Sequence, residues 1–209
     1  AGGTRTYFLD VDATTSPIGV GDHIALVGAE QQTRYMRTEW DLRVWQAVFT
    51  GLHNTDLIYS HATAAELKTV DATLTQLGLG KLRDAAFRTL SQGQLRKVLI
   101  ARALARKPRI LVCAEIGVGL DPIARAALMS TIETVAQAGT QIILVSHRRE
   151  EWIPSITNEL HLQDGRVVGS QAHAPGRCRA PAQRAGAQHR PGRKPEPMHE
   201  ASRDAPLIE

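Results

Sequence analysis

The apolar residues of this chain fall into two rhythms. Leu67, Val70, Leu74 and Leu77 recur at intervals of three and four, which predicts a helix over about Thr63–Leu77 with Gly78 as its stop. Leu95, Val98, Leu99 and Ala103 repeat that rhythm. Ser91 is a natural N-cap in front of them, Gln94 stands where a capping box takes Glu or Gln, and Pro108 ends the helix near Lys107. A third helix is predicted to open at Asp121-Pro122, an acidic cap followed by proline in the first turn. It should bury Ile123, Ala127, Ile132 and Val135 and stop at Gly139. Val44–Thr50 predicts a shorter helix, stopped by Gly51.

The second rhythm is the short unbroken apolar run. Arg109–Ala114 and Gln141–Ser146 predict strands, as do Thr6–Val11 and His23–Val27 near the start. Glu159–Leu162 and Arg166–Val168 flank Asp164-Gly165, a strong hairpin turn. Strands and helices alternate from Ser91 to Ser146, and those strands are apolar throughout, as when helices cover both faces of a sheet. The fold class is therefore α/β, with a largely parallel sheet flanked by helices and a C-terminal β-hairpin. One unit is expected over residues 1–170, followed by a tail over 171–209. The tail holds six of the ten prolines and no Val, Phe, Tyr or Trp, which predicts disorder.

Composition refines this reading in three ways. The net charge is +4, but seven Lys/Arg against four Asp/Glu in the tail account for +3 of it, so the body gives no reason to expect a nucleic-acid surface. Cys113 lies in an apolar run and Cys178 in the polar tail, which is no disulfide framework and fits a reducing cytosol. No apolar stretch approaches the length of a membrane span, and no secretory signal is visible. Ala1 in first place is read either as removal of an initiator Met or as a fragment.

The residues that suggest chemistry stand in a fixed order. They are Leu90-Ser91-Gln92-Gly93-Gln94, the strand Ile110–Ala114 ending in Glu115, Gly119-Leu120-Asp121-Pro122, and Val145-Ser146-His147. A helix start with a hydroxyl, a bare glycine and unpaired amides favours phosphate. A carboxylate after an apolar strand can orient water, and a histidine at a strand end can stabilise charge on a phosphoryl group. Each has a plainer reading: a capped helix, an ordinary loop acid, an exposed histidine, a helix start.

Taken together, the set resembles the ATP-binding cassette (ABC) ATPases, a P-loop NTPase-like family. The resemblance covers roughly Thr6–Val168 and is most specific from Leu90 to His147. It implies that Ser91, Gln92, Gly93 and Gln94 are the signature that meets the γ-phosphate of ATP held by a partner domain. It implies that Glu115 and His147 are the catalytic carboxylate and switch histidine, and that Asp121 belongs to the D-loop at a dimer seam. ATP and Mg²⁺ are the implied cofactors. The implied partners are another ABC domain, as homo- or heterodimer, and a separate membrane permease. The implied placement is cytoplasmic, including attachment at the inner face of a membrane. Val44–Gly51 and Arg88–Arg106 look similar to cassettes of the molybdate-transport and photorepair-associated type.

Two positions depart from the family. Ala114 stands where a Mg²⁺-holding aspartate belongs. The family also needs G-x-x-x-x-G-K-[ST] after an early strand. Here Gly28 follows Ile24–Val27, but Thr33, Arg34 and Tyr35 stand where Gly, Lys and Ser/Thr belong. Only 63 positions separate Gly28 from Ser91, which favours a deletion after Gly28 over a degenerate loop carrying Arg34 and leaves the unit incomplete near 28–42. Gln31 or Gln32 then reads as the Q-loop glutamine, and Tyr7 as an aromatic that could stack on adenine. No metal ligand set is expected.

Three functions are expected on these grounds. The first is an ABC transporter ATP-binding subunit, defective in its own ATP site. The second is an inactive cassette donating its signature to a partner, or a truncated remnant without function. The third is a soluble cassette ATPase acting on nucleic acid.

Overall fold

The computed structural model of the chain describes residues 6–9, 12–16, 19–37 and 41–174. The disorder expected of the tail falls almost entirely outside them. In chain order the elements are β1 (Tyr7–Leu9), β2 (Asp12–Thr14), α1 (Val20–His23), β3 (Ile24–Gly28), α2 (Ala29–Arg37), α3 (Val44–Leu52) and α4 (Ala64–Gln76). Then come α5 (Gln92–Leu104), β4 (Ile110–Ala114), α6 (Pro122–Gln137), β5 (Gln141–Val145), β6 (Asn158–Gln163) and β7 (Arg166–Ala172).

The centre is a parallel sheet of order β3-β4-β5, in register from Ile24↔Ile110↔Gln141 to Gly28↔Ala114↔Val145. All three strands therefore end on one edge, where a fold of this kind gathers its ligand-facing loops. Val27, Leu111 and Cys113 meet Val48 and Phe49 of α3, Leu74 of α4, Leu95 and Leu99 of α5, and Leu128 and Ile132 of α6 in one core. Burial pushes the Cys113 thiol up to about 12, so it packs as a small hydrophobe and is no nucleophile.

The α/β class with a parallel sheet is as expected, but the second covering layer is not. Burial alternates along each strand, with Ala25, Val27, Leu111, Cys113, Ile142 and Leu144 turned to the helices. On the other face Ile24 is 40%, Leu26 54%, Ile143 45% and Val145 50% exposed. The strand order gives the reason. Two crossovers that step in the same direction, both right-handed, put both sets of connecting helices on one side of the sheet.

Other expectations are corrected in detail. The first strand is two antiparallel three-residue strands, β1 and β2. The strand expected at His23 begins at Ile24, because Val20–His23 is helical. Gly51 does not stop α3 but lies inside it. A Cβ there would come within 2.1 Å of the Arg102 backbone oxygen, so the glycine permits the close contact of α3 with α5. On α6 the buried set is Leu128, Met129, Thr131, Ile132 and Val135, whereas Ile123 is 84% exposed and Ala127 is also exposed. At about 100° per residue, Ile123 points about 180° away from Ile132, so the expected stripe combined two faces. The hairpin turn is as read: Asp164 and Gly165 both take positive φ, and β7 runs to Ala172, past the expected domain limit at 170.

Two variants test this packing. Gly51→Ala is expected to lower stability by about 1–3 kcal/mol, read as a lower urea midpoint. Leu26→Thr with Ile143→Thr is expected to reduce binding of an apolar-surface dye while shifting stability by no more than about 0.5 kcal/mol. An undiminished dye signal would place the exposed apolar surface elsewhere.

Candidate nucleotide-facing site

The turn at Ser91 opens α5 and lies on the surface. Ser91 Oγ accepts the Gln94 N–H at 3.3 Å, and Gln94 Oε1 accepts the Ser91 N–H at 2.9 Å. The capping box is thus formed, as the plainer reading of these residues requires. It does not use up the helix start, since the first-turn amides of Gln92 and Gly93 have no intrahelical acceptor.

Beside this turn lies the loop that begins α6. Asp121 caps α6, its Oδ1 accepting the N–H groups of Ile123 and Ala124, both at 2.9 Å. Gly119 takes φ +79°, and a Cβ on it would sit 3.6 Å from Gln92 Oε1. A Cβ on Gly93 would sit 3.3 Å from the Ala124 Cβ. Gln92, Gly93, Gly119 and the first turn of α6 are therefore neighbours. Two capped helix starts thus stand side by side.

The strand edge supplies a second pair. Glu115 follows β4 with φ +48°, and its N–H donates to the Val145 oxygen at 2.9 Å. That bond carries β4 one residue further along β5 and brings Glu115 to the His147 turn. His147 Nδ1 lies 3.9 Å from Glu115 Oε1, and both side chains are more than half exposed. The geometry suits a carboxylate that accepts from a water and an imidazole that donates to the same water or to a phosphoryl oxygen. The loop from Glu115 to Asp121 joins this pair to the Ser91 turn. It is folded on itself by the Val118 N–H to the Glu115 oxygen and the Leu120 N–H to the Gly117 oxygen.

The phosphate cradle is a different matter. β3 passes at Gly28 straight into α2, so Thr33, Arg34 and Tyr35 lie in a helix and form no loop. Tyr35 is buried, with its hydroxyl 3.3 Å from Thr50 Oγ1, and burial raises its pKa against the nearby Arg102. At residues 33–35 the chain is therefore helical, with no loop around a ligand. Glu30 sits in the first turn of α2, where its charge opposes an incoming anion. Gln31 and Gln32 are on this helix rather than in a Q-loop, and Gln31 Nε2 donates to the Leu26 oxygen at 2.7 Å. Tyr7 is half-buried in the β1–β2 hairpin. A helix start bearing Glu30 is no amide nest, no lysine stands in α2, and Ala114 at the end of β4 offers no carboxylate to a metal. The described residues at this edge therefore do not fit the chain's own Mg-ATP.

Sequence reasoning missed the charged side chains beneath the Glu115–Asp121 loop. Arg96 is 4% exposed, on the inner face of α5, and donates to the Val118 oxygen at 3.5 Å. Its Nε and Nη1 have no hydrogen bond among the described residues. Burial pushes its pKa down. Glu151 is 1% exposed and lies under the same loop with Arg125. Buried charge has no sequence periodicity; the bare Gly117 in the loop was the one available signal.

A parallel sheet ending in Glu115 and near His147, with a glycine-bearing helix start beside a Gly-Leu-Asp-Pro turn, has the architecture of an ATP-binding cassette. Comparison with known proteins agrees. A sequence model described as ABC transporter matches residues 18–116. The chain is 31% identical over 149 residues to YmeB of Lactococcus lactis, an ABC transporter ATP-binding protein, covering 70% of this chain and 56% of YmeB. It is 33% identical over 140 residues to the ABC transporter ATP-binding protein ModF of Escherichia coli, covering 66% and 28%. Among solved structures it is similar to cbiO1 of Clostridium perfringens, part of the transporter complex cbiONQ. That match has a TM-score of 0.61 at 26% identity and covers 74% of this chain and 59% of that one. Residues 18–116 thus carry an ABC transporter ATP-binding domain, and the relatives named are ABC transporter ATP-binding proteins. The chain spans little more than half the length of YmeB.

Each cap contributes measurably. Ser91→Ala and Asp121→Ala are each expected to cost about 1 kcal/mol of stability in urea titration, without loss of cooperativity. A loss well under that figure at Asp121 would contradict its two amide bonds.

Proposed function

We propose that the chain is the ATP-binding subunit of an ABC transporter, defective in its own nucleotide seat, and that it acts by donating its signature turn to ATP held by a partner cassette. One observation carries this reading. The Ser91–Gln94 turn is capped, exposes Ser91 and Gln92, and is set beside Gly119–Asp121, whereas the stretch after Gly28 is a helix with no cradle. The half of the site that serves another molecule's phosphate is intact, and the half that would hold the chain's own is not.

In this role Gly93 lets the γ-phosphate approach the helix start, and the first-turn amides and Ser91 Oγ bind it. Asp121 lies at the seam between the two cassettes. Glu115 and His147 stand side by side at the strand edge, but they would need a triphosphate seated at Gly28. The names of YmeB and ModF support an ATP-binding role in transport, and the likeness to cbiO1, itself part of cbiONQ, supports assembly into a complex. The transport path in this reading belongs to a separate permease at the inner membrane face. No helix among the described residues is long and apolar enough to cross a membrane.

The purified chain alone is expected not to bind Mg-ATP with micromolar affinity in calorimetry; tight binding with turnover would restore a self-sufficient ATPase. Combined with an intact cassette subunit, Ser91→Arg is expected to abolish the pair's ATP hydrolysis, and an unchanged rate would remove the donor role.

The exposed face of Ile24, Leu26, Ile143 and Val145 favours a second reading, a truncated remnant. A broad, featureless thermal melt would support it, and a cooperative one would exclude it.

A further inference from the structure

Glu151 is the most buried charged side chain among the described residues, and neither the signature turn nor the Glu115–His147 pair uses it. It stands where three segments meet. Toward β5, Ser146 Oγ donates to Glu151 Oε2 at 2.6 Å, and Ser146 Oγ in turn accepts the Arg148 N–H at 3.0 Å. These two bonds shape the turn that carries His147. Toward α6, Glu151 Oε1 lies 3.7 Å from Arg125 Nε, and Arg125 Nη2 donates to the Leu120 oxygen at 2.8 Å, one residue before Asp121. Between them runs the Glu115–Asp121 loop, whose Gly117 has no room for a side chain. A Cβ there would sit 2.3 Å from Glu151 Oε1 and 3.3 Å from Arg125 Cγ.

We infer that Glu151 is a positioning residue that couples the His147 turn to the Asp121 turn, through Ser146 on one side and Arg125 on the other. The physical ground is that a carboxylate in a dry site cannot release one partner without altering its hold on the other. Either oxygen left unpaired there is costly. Oε1 already lacks a hydrogen bond, and Arg125 Nε lacks one too, so the Arg125 contact is the looser side of the link. A small rotation of the carboxylate toward Arg125 would tighten that contact and strain the Ser146 bond. The two turns therefore shift together. The loop between them is held down by the bare Gly117 backbone, which lets the carboxylate sit directly beneath it.

This coupling rests on the proposed function for its purpose. There Asp121 faces a partner cassette, and its position would be transmitted to His147. The coupling itself is a property of the chain alone, so it is tested without ATP or a partner. Its failure would leave the donor role standing, and failure of the donor role would leave the coupling standing.

The test is amide hydrogen exchange by NMR on the full chain, with variants at the two ends of the link. Ser146→Ala removes only the hydroxyl, and Arg125→Met removes only the guanidinium. The reporters are the amides of Ile123 and Ala124 at the Asp121 cap and of Arg148 at the His147 turn. Ser146→Ala is expected to speed exchange at Ile123 and Ala124 by at least about fivefold, and Arg125→Met to do the same at Arg148. The amides of Leu99 and Val112 in the core should keep their wild-type rates. The double variant should show less than the product of the two single effects, because both act on one carboxylate. Glu151→Asp should lie between wild type and Glu151→Gln at both ends. Effects confined to the mutated end, or independent effects in the double variant, would overturn the coupling. If Glu151→Gln fails to fold, the two peripheral variants decide the matter.

Discussion

The strand order β3-β4-β5 is the constraint that governs the rest of this molecule. Stepping twice in the same direction across a parallel sheet, with right-handed connections, leaves both sets of connecting helices on one side. This gathers α3, α4, α5 and α6 into a single core with the inner sheet face. It also leaves Ile24, Leu26, Ile143 and Val145 facing out. The same parallelism brings Gly28, Ala114 and Val145 to one edge, so the segments beyond them are neighbours whatever their sequence.

The segment beyond each strand determines the chemistry available at that edge. After β4 and β5 the chain makes short turns that bring Glu115 and His147 together. After β3 it enters α2 at once, with Glu30 in the first turn. A helix start can serve a phosphate when the chain leaves its amides open and free of like charge. Of these two helices, α5 meets that condition and α2 does not. The difference between the serviceable and the unserviceable half of this site is thus a matter of which helix begins where.

Much of the candidate site was legible from residue order. Ser91, Gly93, Gln94 and Asp121 could be placed at helix starts because caps are local: their partners lie two or three residues away. The pairing of Glu115 with His147 was legible only through the family resemblance, since 32 positions of chain separate them. The fate of residues 29–37 was less open to sequence reasoning. Absence of a phosphate-loop pattern could be read, but not the helix that replaces it. Tyr35 illustrates the reason: it belongs to the core because Thr50 and Phe87 receive it, and those contacts are tertiary.

The order of residues was enough to place the central strands, most helix limits and the capped turns, because hydrophobic rhythm, capping and turn preference act over a few residues. Which face of each element is buried was settled only when the elements packed. Gly51 looked like a stop until α5 came within reach of it, and Ile123 looked like core until α6 was set on β5. Packing also put Arg96, Arg125 and Glu151 under one loop, since the placement of a buried charge depends on groups far along the chain and no local pattern encodes it.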